Sequence, residues 1–138
     1  MKKIIPALLL LSFGFAACNG DEKDAKAKDK YEQTKESLGE TEKKNPKQFL
    51  TVEGHDRKNL LRQTVIKGTI TNKATVAKFK DVDVEISFFS KTGALLLRDH
   101  EVVYETIAAG GSQDFKTKIK APIGTDSIAL KIYAAKVE

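Results

Sequence analysis

The sequence predicts an all-β domain, an antiparallel β-sandwich of about seven short strands, preceded by a signal peptide and a charged tether. Three observations carry this expectation. From Phe49 onward, apolar residues recur at every second position, the period of a half-buried strand. Gly, Pro and Asn signals cut that pattern into short runs, as the turns of a sandwich do. No helical period alternates with the strands, so a parallel nucleotide-binding sheet is not expected.

The first element is an export signal. Met1-Lys2-Lys3 is positively charged, Ile4 to Phe15 is an apolar run broken by Pro6 and Gly14, and Ala16-Ala17 are small residues before Cys18. That is the order of a signal peptide. The apolar run falls short of the roughly 20 residues of a spanning helix. The tetrapeptide Phe15-Ala16-Ala17-Cys18 resembles the lipobox of bacterial lipoproteins, with Phe15 where Leu is usual, a departure common in the Bacteroidetes. The resemblance implies cleavage before Cys18, a thioether-linked diacylglyceryl group on its sulfur and acylation of its freed amine. Two or three acyl chains anchor durably where one binds reversibly. The chain therefore divides into a signal peptide (1–17), a lipidated Cys18 with its tether (18–47) and a sandwich domain (48–138).

The tether, Asp21 to Lys47, is nearly all Lys, Glu, Asp, Ala, Gln and Thr, with only Tyr31 and Leu38 as larger apolar residues. Glu22/Lys26 and Asp24/Lys28 support a helix, whereas Glu32, Glu36 and Glu40 repel one another and Gly39 weakens the second half. Without an apolar face, packing cannot hold such a helix. The expectation is a disordered or partly helical spacer ending at Asn45-Pro46.

Strands follow. Gln48 to Gly54 is the first, and Leu60 to Asn72 the second, with Ile66, Gly68 and Ile70 on one face and Lys67, Thr69 and Thr71 on the other. Phe79 to Ser90 sends Val82, Val84, Ile86 and Phe88 inward and Asp81, Asp83, Glu85 and Ser87 to water. Lys91-Thr92-Gly93 is a tight turn. Ala94 to Ile107 has the length of two strands, bent near Arg98-Asp99. After the Ala108-Ala109-Gly110-Gly111-Ser112 loop comes a strand from Gln113 to Lys120. Ser127 to Val137 closes the domain, with Ile128, Leu130 and Ile132 on one face.

Three runs resemble the immunoglobulin-like modules of bacterial envelope proteins: Lys67-Gly68-Thr69-Ile70-Thr71-Asn72, Phe79-Lys80-Asp81-Val82-Asp83-Val84 and Phe88-Phe89-Ser90-Lys91-Thr92-Gly93. Gly110-Gly111-Ser112-Gln113-Asp114-Phe115 looks like their next turn and aromatic strand. The stretch from Asn45-Pro46 to Leu130 is also similar to small lipoproteins of the Bacteroidetes. The resemblance implies a fold rather than an activity, because such sandwiches host many functions.

Charge excludes some classes. Without Lys2 and Lys3 the chain holds 22 basic and 19 acidic side chains, and the tether's cancel. The remaining excess is too scattered for nucleic acid. A single cysteine leaves no internal disulfide.

Candidate chemistry is sparse. Asp81, Asp83 and Glu85 share a strand face, but neighbours about 7 Å apart on a straight strand diverge from any common metal or substrate. His55, in a polar loop, and His100, in a bend, lack metal-site spacing. Ser112 and Ser127 lack a nucleophile elbow, and Gly110-Gly111 lacks the Lys and helix of a phosphate loop. No catalytic, metal or cofactor residue is assigned, and Cys18 is the one site residue.

The expected function is a non-enzymatic interaction module on a lipid anchor, meeting an envelope protein, peptide or glycan. The alternatives are an accessory subunit of an outer-membrane assembly and a carboxylate-dependent hydrolase using Asp99, His100 and a further carboxylate. Asn19-Gly20-Asp21-Glu22-Lys23-Asp24 resembles the acidic export signals of surface lipoproteins, with periplasmic retention at the outer membrane as the alternative.

Overall fold

The computed structural model describes residues 21–58 and 63–138, with side chains from Lys28 onward. The signal-peptide and Cys18 readings lie outside these residues. Two helices, α1 (Asp21–Lys44) and α2 (Pro46–Phe49), precede six strands: β1 (Leu50–Lys58), β2 (Thr64–Asn72), β3 (Phe79–Ser90), β4 (Leu95–Val103), β5 (Ser112–Ile119) and β6 (Thr125–Val137). The strands form two three-stranded antiparallel sheets, ordered β1-β2-β5 and β4-β3-β6. The all-β sandwich is therefore present, with six strands among the described residues where about seven were expected.

The central strands supply the core because the alternation expected of them holds. Ile66 and Ile70 of β2 join Val82, Val84, Ile86 and Phe88 of β3, with Phe79 and Ile107 at one end, in a single buried cluster. Each such side chain contributes about 1.5–3 kcal/mol on full burial. Two glycines let the partly buried edges close over this core. Gly68 lies directly opposite Phe115, and a Cβ on it would stand 2.5 Å from the Phe115 ring. A Cβ on Gly54 would stand 2.6 Å from Leu130 of the other sheet.

Several boundaries differ from expectation. Ala94 to Ile107 is one strand and a loop, not two strands, because β4 is a sheet edge and its charged run Arg98-Asp99-His100-Glu101 reaches water without a bend. His100 thus lies within β4, and His55 within a β1 that runs on to Lys58. Residues 46–49 form a helical turn, so β1 begins at Leu50 rather than Gln48. Ser87 is on the outer face but is buried. Asp81 takes a left-handed φ of 47° where two β3 residues oppose one of β6, a bulge that alternation alone cannot reveal.

The tether takes the helical of the two forms expected of it. It is helical from Asp21 to Lys44, and its last turns touch the sandwich.

Candidate functional site

Strand register gives the molecule two distinct ends. Leu50 pairs with Asn72, Thr71 with Ser112 and Phe79 with Val137 at the base, where α1 and α2 enter. Lys58 pairs with Thr64, Thr64 with Ile119 and Ser90 with Thr125 at the opposite end. The Lys91–Gly93 turn and the Pro122–Gly124 turn cap that far end.

At the base, the β2–β3 loop is fixed from inside by Asn72, which is fully buried. Its Oδ1 accepts the Ala74 N–H at 2.9 Å, and its Nδ2 donates to the carbonyls of Ala77, Ile107 and Ala108 at 2.9, 3.2 and 3.1 Å. From outside, the same loop grips α1. Thr75 donates its N–H and hydroxyl to Glu42 Oε1 at 2.7 and 2.8 Å, and the Val76 and Ala77 N–H groups donate to Oε2 at 2.9 and 2.8 Å. Glu42 is only 3% exposed. Burial pushes its carboxyl up, but the hydrogen bonds from Thr75, Ala77 and Val76 outweigh that and hold it at about 2, below the ordinary 4.5. Gly39, one turn earlier, leaves room for Val76, whose Cγ1 lies 3.4 Å from where a Cβ would be. Among the described α1 side-chain positions only Gly39 and Glu42 are buried, so the helix stands away from the domain.

The three carboxylates of β3 do not converge. Asp81 meets Lys136 at 3.0 Å, Asp83 meets His100 Nδ1 at 2.9 Å, and Glu85 lies 3.8 Å from Arg98. The His100 ring also packs edge-on against Tyr133, 4.9 Å between centroids, and Lys47 of α2 lies 5.5 Å over the same tyrosine. Ser87 donates to Glu85 rather than to the histidine. Each carboxylate on this face thus has its own basic partner. Asp99 accepts the backbone N–H of His100, whose ring turns to Asp83 instead. A polar trough of about 700 Å³ lies over β1, β2 and β5, between Glu53, Thr69 and Asp114 on one side and His55, Lys67 and Lys116 on the other. The Ser112 hydroxyl bonds that of Thr71 at 3.1 Å. Gly110 supplies a turn at φ 72°.

At the far end, Leu95, Leu96 and Leu97 are 44%, 38% and 37% exposed in sequence along the edge strand β4. Ile123 is fully exposed in the β5–β6 turn. Two of the other edges are guarded. β5 carries Lys116 and Lys118, and β6 is flanked by α2 and β1.

Glu42 is the residue that sequence reading missed. The only hint was Gly39, a small residue one turn from an acid on the same helix face. Among the described residues, no helix is long and apolar enough to cross a membrane, and no cluster of His, Cys, Asp or Glu fits a metal ion. Comparison with known family models, curated proteins and solved structures finds no match to this chain.

Proposed function

We propose that this chain is a lipid-anchored lipoprotein of the outer membrane whose sandwich is a non-enzymatic interaction module, held out on α1 and met by an envelope partner at its far end. The observation that carries this reading is the polarity of the molecule. The polar helix, which begins three residues after Cys18, docks at the base, and the unguarded leucines lie at the opposite end. A helix of 24 residues spans about 36 Å at 1.5 Å per residue. An edge strand with free N–H and C=O groups and apolar side chains is a template for an added strand. The separate pairing of Asp81 with Lys136, Asp83 with His100 and Glu85 with Arg98 supports binding over catalysis, since catalysis needs groups that converge on one substrate.

Strand order supports an immunoglobulin-like module. In the lettering of that fold, β1, β2 and β5 take places A, B and E, β3 and β6 take C and F, and β4 takes C′.

Two experiments test the reading. Cys18→Ser is expected to abolish fatty-acid labelling and release the protein from membranes; retention in the membrane fraction contradicts the anchor. A photo-crosslinker at position 96 in intact cells is expected to give a discrete adduct that one at position 118 does not. Equal adducts from both positions, or none from 96, contradict the far-end site. Protease shaving of the same cells separates surface from periplasmic display.

A further inference from the structure

Three successive residues, Thr75, Val76 and Ala77, aim three backbone N–H groups and one hydroxyl at a single carboxylate. Successive amides curled around one point form a nest for anions. The donors divide into two pairs, one for each oxygen of Glu42, at 2.7 to 2.9 Å. Two pairs of donors fit a planar anion with two oxygens better than a spherical halide, which has one point of charge. The sandwich itself sets the directions of these donors. Asn72 holds the Ala74 N–H and the Ala77 carbonyl from the core side, and Phe79 continues directly into the buried centre of β3. The loop is therefore braced at both ends by the sandwich, independently of its bonds to the helix.

We infer that the Thr75–Ala77 loop is a carboxylate-binding site in its own right, built by the sandwich and filled in cis by Glu42, and that it accepts a free carboxylate when Glu42 is absent. The site needs no metal and no titratable side chain, because its donors are three amides and a hydroxyl. Its ligand class is the acidic side chain, the chain-terminal carboxylate or a small organic acid. Glu42 occupies it at the high effective concentration of a tethered ligand. Another protein's carboxylate reaches the site only by displacing α1, so docking of the helix and capture of such a partner exclude each other.

Formate is the probe. In isotope-labelled full chain carrying Glu42→Ala, formate is expected to shift the amide signals of Thr75, Val76 and Ala77 saturably and to raise the melting temperature. Chloride at equal ionic strength does neither. The wild-type chain, its site already filled, responds at least about tenfold more weakly. Shifts that fail to saturate, that chloride reproduces, or that are equal in the wild-type chain overturn the inference. If Glu42→Ala does not fold, Thr75→Ala with Glu42 intact serves. Loss of the hydroxyl donor moves the acid titration of the Glu42 carboxyl carbon upward, and an unmoved titration overturns the inference equally.

Discussion

Glu42, in the last turn of a charged helix, takes two hydrogen bonds from Thr75, 33 residues further along the chain. That pair joins what reads in the sequence as two independent regions, a solvated spacer and a folded domain. The joint inverts the usual logic of docking, in which an apolar helix face is buried. Here a carboxylate is buried, and backbone amides that would otherwise lack partners are satisfied by it.

Removing that carboxylate exposes the cost of the unpaired donors. Glu42→Ala is expected to destabilise the chain by about 2–4 kcal/mol, the range for stranding buried donors. Glu40→Ala, at an exposed position of the same helix, is expected to change stability by less than about 0.5 kcal/mol. A fragment beginning at Phe49 keeps every strand and is expected to fold with the same deficit as Glu42→Ala. Urea melts of the three variants check this ordering.

Acid should undo the joint in a defined window. The folded pKa of Glu42, about 2, lies below the ordinary 4.5, so its contribution is complete above the higher value and is lost as pH falls through the lower one. The stability difference between wild type and Glu42→Gln is expected to be flat above about pH 5.5 and to shrink by about 3 kcal/mol on the way to pH 2. Chemical melts across that range read the difference directly.

The contact between Gly68 and Phe115 leaves no room for a methyl group. Gly68→Ala is expected to cost about 1–3 kcal/mol through overpacking. Phe115→Leu, costly alone, is expected to relieve part of that loss, so the pair shows a coupling of about 1 kcal/mol in a double-mutant cycle. Additive losses would mean that the two residues do not press on each other.

The register of β3 makes a sharper contrast between neighbours. Ile86 is fully buried, whereas Glu85 points to the outer face beside Arg98. Ile86→Asp is expected to cost at least about 4 kcal/mol by burying an unpaired charge, and Glu85→Ala less than about 1 kcal/mol. Comparable losses from both, in thermal melts, would place the strand one residue out of register.

Much of the fold was legible in the sequence, and for a physical reason. β2 and β3 are central strands with one dry face, so burial writes itself into the sequence as alternation, and Phe79 to Ser90 reads with its observed bounds. β4 is an edge with water on more than one side, and there the alternation fades. Arg98-Asp99 consequently looks like a bend where the strand runs straight through. The carboxylates of β3 look in the sequence like a solvated face, and each has a basic partner across the sheet. The joint was not legible. Its buried group is charged, its partners are backbone amides that every residue but proline possesses, and the spacing from Glu42 to Thr75 carries no period. The same holds for Asn72, whose four bonds to the loops at the base appear in the sequence only as the end of a strand.

The central claim is that α1 is a fixed stalk because Glu42 pins it to the β2–β3 loop. Spin labels at Lys30→Cys on the helix and Lys91→Cys at the far-end turn, in a Cys18→Ser background, measure that directly by pulsed electron spin resonance. A narrow distance distribution is expected with Glu42 present and a broad one with Glu42→Gln. A broad distribution in both chains, or one equally narrow without the carboxylate, would contradict the account.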